Sequence, residues 1–321
     1  MNYGDLIRDA FRISWRNKYL WFFGFFAGGV GSSFGGNVPS GAGNFGGGPE
    51  QSGIPGIAAQ VGPGLFDNLA LLIALFVVIG LIVLLFLALT LISQGALAEN
   101  VAAIDRAEGR RFGSGWRAGL GNVWRVLGYY VVYFLITLGL LVAIGVPIGL
   151  LVGVTFAVTQ SVAARVIVAV LAGLLGLLAL IVVFIPLSIV GQYALREIVV
   201  RRTGVFASFG GGYRIFRHDV GRSLLLWLIN LLLGIGVTIA VVLALGIVGL
   251  VLFLPTILLA FAEMSAAAVV TGIVAGVILL PILLAVSGAT GAFFHSYWTL
   301  VYLRLTGHRE GGEPAQASVV A

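Results

Sequence analysis

Polar side chains are scarce in this chain, and the few that interrupt its apolar runs are where chemistry could occur. Glu99 and Glu197 stand in matching contexts, Gln94-x-Ala-Leu-x-Glu99 and Gln192-x-Ala-Leu-x-Glu197, each near the end of a long apolar stretch. Carboxylates so placed could relay protons or a cation. The plainer reading pairs them with nearby arginines such as Arg196 or those of the neighbouring basic segments, and makes them anchors. Gln94 and Gln192 suit hydrogen bonds between helices. With Asn230, a further isolated polar group, these four residues would line a polar cavity if the chain encloses one.

His295 is the only histidine within an apolar stretch, near Ser287, Ser296 and Tyr297. Ser287-Gly288 followed by a histidine is distantly similar to the intramembrane serine proteases. Their motif has glycine two places before the serine, where this chain has Ala285. On one helix Ser287 and His295 would stand about 12 Å apart along the axis, too far for a nucleophile–base hydrogen bond. His218 and His308 have no second histidine at a metal-ligand spacing, and cysteine is absent. The expectation is therefore a non-enzymatic protein without metal or cofactor.

The elements that would position these groups are membrane helices. Of the 321 residues 60% are hydrophobic and 9% charged, against about 25% charged in ordinary soluble domains. Soluble enzyme, nucleic-acid-binding domain and disordered chain are set aside on that ground. Apolar stretches run roughly Leu69–Leu91, Val126–Val158, Val162–Tyr193, Leu224–Leu254 and Ala266–Leu303. Each exceeds the ~18 residues that read as a span. Pro147, Pro186 and Pro281 fall inside them as expected kink points, and Pro255 is expected to break the fourth before Glu263.

A sixth crossing is argued from charge. Tyr19–Val30 is short, but Arg8, Arg12, Arg16 and Lys18 precede it, while Arg106, Arg110 and Arg111 follow the next stretch. If both clusters face the cytoplasm, an even number of crossings separates them. Six helices with both termini inside put seventeen of the eighteen Lys and Arg residues on one side and only Arg165 on the other. The net charge of +6 is then a topology signal rather than a nucleic-acid signature. No cleavable signal peptide is read at the N-terminus; the first helix would serve as a signal-anchor.

Between the first two crossings, Gly28–Gly64 carries fourteen glycines and the single charge Glu50, the composition of a flexible external loop. It lacks the strand, helix and lysine of a phosphate-binding loop. The tail 308–321 is expected to be disordered and cytoplasmic. Gly24-x-x-x-Gly28, Gly145-x-x-x-Gly149-x-x-x-Gly153 and Gly272-x-x-x-Gly276 allow close helix approach, for internal packing before dimerisation.

An internal repeat organises the rest. Phe112-Gly-Ser-Gly-Trp-Arg117 recurs as Phe209-Gly-Gly-Gly-Tyr-Arg214, and Val123, Arg125 and Leu127 recur as Val220, Arg222 and Leu224. Phe11-Arg12 with Asn17 is a shorter echo. The unit is an aromatic–basic segment followed by two crossings. This predicts an all-α integral membrane domain over 1–307, built of three parallel hairpin repeats at about 1–108, 109–205 and 206–307. Each leading segment reads as amphipathic: Tyr3, Ile7, Phe11 and Trp15 share a face, as do Phe112, Trp116, Leu120 and Trp124, and Phe206, Phe209, Tyr213, Phe216 and Val220. Gly113, Gly115, Gly119 and Gly121 predict only partial helicity for the middle one. Arg12, Trp15, Trp116, Arg117, Arg125, Tyr213, Arg214 and Arg222 are the residues expected to meet anionic inner-leaflet lipid.

The opening Asp5-Leu-Ile-Arg-Asp-Ala-Phe-Arg-x-x-Trp15-Arg-Asn-Lys-Tyr-Leu-Trp-Phe-Phe-Gly24 and the repeated Gln-x-Ala-Leu units resemble a broad group of uncharacterised bacterial multi-pass membrane proteins. That group is similar to the membrane domain preceding the catalytic domain in some glycerophosphodiester phosphodiesterases. The acidic metal-binding clusters and histidines of the phosphodiesterase domain do not occur in these residues, so the resemblance carries over no catalytic residue. The near-exclusive use of Arg over Lys fits a GC-rich bacterium. The expectation is an inner-membrane protein whose aromatic–Arg segments engage anionic lipid, a membrane-protein partner or a second copy. The alternative is a permease for a lipid-like or small amphipathic solute.

Overall fold

The computed structural model describes residues 3–30 and 69–307. Most of the stretch expected as an external loop, and the tail 308–321, lie outside them. In chain order the elements are α1 (Tyr3–Arg16), α2 (Tyr19–Gly24) running into a π-helical stretch Phe25–Val30, α3 (Leu69–Asp105), α4 (Phe112–Val158), α5 (Val162–Val200), α6 (Val205–His218), α7 (Val220–Phe261) and α8 (Ser265–Leu305). No strand occurs among the described residues.

Five of these helices, α3, α4, α5, α7 and α8, are long and apolar enough to cross a membrane. A helix satisfies its backbone groups internally, which is what a hydrocarbon environment requires. At 1.5 Å per residue even α3 is about 55 Å long, so each exceeds a hydrocarbon core of about 30 Å. Tyr19–Val30 reaches only about 18 Å. Pro147, Pro186, Pro255 and Pro281 all lie inside helices. Pro255 stays within α7, which ends at Phe261, before the expected limit at Glu263, where the chain turns with φ of 59°. The middle segment is likewise fully helical, as the first turns of α4. Its glycines account for this. A Cβ at Gly115 would meet Asn100 Nδ2 at 2.3 Å, and one at Gly119 the Ile92 carbonyl at 2.4 Å. Close packing on α3 thus outweighs the helix cost of about 1 kcal/mol per glycine.

The connections fall at two ends of the molecule. At one, Asp9 of α1 pairs with Arg304 near the end of α8, Glu99 lies 3.8 Å from Arg202, and Phe23 stacks on Phe112 at 5.2 Å. This is the basic end. The turns at Thr159–Ser161 and Ala262–Met264 form the distal end, where Arg165 is the only Lys or Arg among the described residues. Arg165 folds back as a cap. Its Nε donates to the Thr159 carbonyl (2.6 Å), its Nη2 to that of Phe156 (3.0 Å), and its guanidinium lies over the Phe156 ring.

The large core clusters sit towards the basic end. α3 is buried from Thr90 to Ala103, α5 from Ser188 to Val199 and α8 from Gly291 to Leu303, with Glu99, Gln192 and His295 partly exposed. Distally the same helices are exposed. Between Leu71 and Ala88 every residue of α3 except Leu72 is exposed, although Phe86 still meets the Phe26 ring at 5.9 Å. The outer halves of α4 and α5 touch through Gly176 and Ile148, and those of α7 and α8 through Thr256 and Thr271.

Each leading segment docks on a long helix of another part of the chain. The start of α4 lies along α3 and α6 lies along α5, while α1 crosses to α8. α1 buries Leu6, Ala10 and Ile13 there, worth about 1.5–3 kcal/mol for each large side chain. A free helix of 14 residues would be marginal in water without that contact. The short α2 packs against α8 through glycines. A Cβ on Gly24 would lie 2.2 Å from the Gly288 carbonyl, and one on Gly291 2.1 Å from that of Gly24.

Candidate functional site

The described polar residues gather in three places. The first is the centre of the core. The π-helical stretch ends with carbonyls that its own helix does not fully satisfy. Thr90 Oγ1 donates to the Phe26 carbonyl (3.3 Å) and Gln94 Nε2 to that of Ala27 (2.9 Å). His295 of α8 is set against the same Ala27 carbonyl, and Arg196 of α5 lies near enough to His295 to act on its charge. Arg196 is 1% exposed. Its Nη1 donates to both the backbone and side-chain oxygens of Gln192, while its Nε and Nη2 have no hydrogen-bond partner. Gln94 Oε1 is also unpartnered. Gln94, Gln192, Arg196 and His295 therefore converge from α3, α5 and α8.

The second place is the basic end. Glu197 is buried, accepts from Tyr302 Oη and pairs with Arg201 at 3.2 Å. Glu99 accepts from Asn122 Nδ2 (2.9 Å) and faces Arg202. Both glutamates thus lie beside arginines at the end of α5, as the plainer reading anticipates, although neither partner is Arg196. A cleft of about 320 Å³ opens beside Glu197, lined by Arg201, Arg214, His218, Asp219 and Thr306 among others. Gln94, Gln192 and Asn230 do not line it. Asn230 is buried on α7 with its Oδ1 unpartnered. Of the five residues expected around one polar cavity, Gln94 and Gln192 join the central cluster, Glu99 and Glu197 stand at the basic end, and Asn230 is buried on α7. At α1, burial works against the Asp9 carboxylate, but hydrogen bonds and charge from Arg12 and Arg304 outweigh it and hold its pKa below the ordinary value.

The third place is the outer surface of the three leading segments. On α1, Phe11 and Trp15 are exposed and stacked at 5.7 Å, beside exposed Arg8, Arg12 and Arg16. On α4, Trp124 is 81% exposed and Arg117 and Arg125 share the open side, whereas Trp116 turns partly inward onto Phe22 and Phe23. On α6, Phe206, Tyr213, Arg214 and Arg217 are exposed. Arg12 pairs with Asp9 at 2.7 Å and Arg222 with Asp219 at 3.6 Å. Arg117, Arg125 and Arg214 have no carboxylate partner among the described residues.

The central cluster is what residue-by-residue reading missed. Its signal was present: Arg201-Arg-Thr-Gly204 is echoed by Arg304-Leu-Thr-Gly307. That register sets His295 opposite Gln192, which already matches Gln94. Arg196 falls opposite Ala98 and Thr299.

Long apolar helices around a small polar centre, with basic residues collected at one end, define a multi-pass α-helical membrane protein. Residues 15–309 match the model of a family of unknown function, DUF7544, and the chain belongs to that family. No curated protein and no solved structure matches the chain. The family match accords with the resemblance to uncharacterised membrane proteins and does not extend to the phosphodiesterase membrane domain.

Proposed function

We propose that this protein is a non-enzymatic component of a bacterial inner membrane that engages anionic lipid through its three aromatic–Arg segments. The observation that carries the reading is the orientation of those segments. Each buries one face in the core and turns aromatic rings and arginines outward, most of those arginines without a carboxylate partner. Rings of this kind suit the headgroup level, and the guanidinium groups suit lipid phosphates.

The same reading assigns the topology. The basic end is cytoplasmic, both termini lie there, and the stretch beginning at Tyr19 supplies the first of six crossings in three parallel hairpin units. Supporting it are the collection of basic residues at one end and the cyclic docking, in which α4, α6 and α1 each rest on the second helix of another unit.

The test replaces Arg12, Arg117 and Arg214 together with Gln and follows retention of anionic lipid by native mass spectrometry. At about 1 kcal/mol for each basic residue near an anionic surface, retention should weaken roughly 100-fold. Unchanged retention in a folded variant would count against the proposal.

A further inference from the structure

Among the described residues, Arg196 is the charged side chain that the core takes in without a counter-charge. No carboxylate among the described residues forms an ion pair with it, and its polar contacts are with Gln192. The adjacent Glu197 turns away to Tyr302 and Arg201. A buried cation without a counter-charge is strongly unfavourable, and a bound anion would relieve that cost.

The unpartnered atoms indicate the shape of that ligand. Nε and Nη2 form one edge of the guanidinium, the two-pronged face that matches a pair of oxygens on a phosphate or carboxylate. Nη1, on the other edge, is held by Gln192, which fixes the fork. Gln94 Oε1 is an unpartnered acceptor nearby, since Gln94 and His295 meet at the Ala27 carbonyl. Such a centre can take an oxyanion and accept from a hydroxyl beside it. Gln192 and His295 are partly exposed, so the cluster reaches the surface of the core. Beyond it, the outer halves of α3, α5 and α8 are apolar and exposed.

We propose that Arg196, Gln94 and His295 form a binding site for the phosphate of an anionic membrane lipid, whose acyl chains lie in the apolar space between the outer halves of these helices. The apolar approach favours a lipid phosphate over free phosphate. The site is separate from the three surface segments and stands without them.

The experiment uses the full chain in phosphatidylcholine nanodiscs, with phosphatidylglycerol or inorganic phosphate as the added probe. Thermal denaturation and native mass spectrometry supply the readouts. Phosphatidylglycerol should raise the denaturation temperature of the wild type and leave one lipid bound after the others are stripped. Arg196→Met should be at least as stable in phosphatidylcholine alone and bind that last lipid at least tenfold more weakly. Arg196→Lys, which keeps charge but lacks the fork, should fall between. Gln94→Leu gives a second test should Arg196→Met not fold, and should also weaken the last lipid. The triple segment variant should lose the loosely held lipids and keep the tight one. Equal retention by Arg196→Met and wild type would overturn the site while leaving the segment reading intact. Inorganic phosphate stabilising the wild type as much as phosphatidylglycerol would overturn the lipid assignment.

Discussion

Gly291→Ala adds a single methyl group and should be among the most damaging conservative changes in this chain. The added Cβ would lie 2.1 Å from the Gly24 carbonyl oxygen and 2.8 Å from its carbon. Both are backbone atoms of the facing helix, so no rotamer can relieve the clash. Ordinary contact begins near 3.4 Å, and α2 must therefore retreat from α8 by more than 1 Å. Overpacking of this kind costs about 1–3 kcal/mol. The retreat also disturbs Ala27, whose carbonyl accepts from Gln94, and a buried hydrogen bond adds about 1 kcal/mol. The total is roughly 2–4 kcal/mol.

The control is internal to the chain. Gly149 also lies in a membrane helix, but a Cβ there meets nothing within 4 Å. Gly149→Ala should be neutral, or stabilising by up to about 1 kcal/mol through helix propensity. Thermal denaturation of both variants in one detergent, read by tryptophan fluorescence and by size-exclusion elution after heating, compares them directly. Gly291→Ala should lose soluble, monodisperse protein at a temperature several degrees below wild type. Equal denaturation temperatures for the two variants would refute the crossing of α2 and α8 as described here.

Two further outcomes are expected. The Asp9 pKa is depressed below the ordinary 3.8, so its contribution to docking α1 is fully present above about that pH and is lost as pH falls through the native value. Asp9→Asn should remove that acid dependence and destabilise the neutral protein by roughly 2–3 kcal/mol, because Arg304 is left nearly buried without its partner; denaturation followed from neutral pH into acid reads both effects, and an acid limb that persists in the variant would exclude Asp9 as its source. At the junction of α4 and α5, Tyr129→Phe removes a hydrogen bond to the Gly191 carbonyl (3.0 Å) while keeping the ring stacked on Phe209, and should cost about 1 kcal/mol. Gly191→Ala should cost more, since its Cβ would meet the Tyr133 ring at 2.7 Å, and the reverse order in a denaturation series would contradict this packing.

Which features were legible in the sequence follows from the range of the forces involved. The five long helices announce themselves because lipid demands a continuous apolar run, but their basic-end boundaries do not: α3 continues past Leu91 to Asp105, and α4 begins at Phe112 rather than Val126. α1 and α6 are likewise visible as amphipathic periods, since each faces the core on one side only. The start of α4 is a different case. Four glycines within nine residues argue against helix locally, and the argument fails because Gly115 and Gly119 are where α3 comes closest. His295 was measured only against Ser287 on its own helix. Its actual neighbours, Gln94, Ala27 and Arg196, come from three other elements.

Sequence-matched positions in the central cluster carry different chemistry. Gln94, Gln192 and His295 occupy matching positions, and three neutral polar groups can meet around a centre without repulsion. Four residues, about one turn, further along stand Ala98, Arg196 and Thr299, all buried. Three arginines there would bring three like charges together in a medium of low dielectric, where a single unpaired charge is already costly. Only one of the three can be cationic, and the others must be small or hydrogen-bonded to their own helix. Thr299 is so bonded: its Oγ1 donates to the His295 carbonyl at 2.8 Å, the counterpart of the Arg196 bond to the Gln192 carbonyl. A single buried cation at this level is what the low dielectric permits, and one oxyanion would suffice to neutralise it.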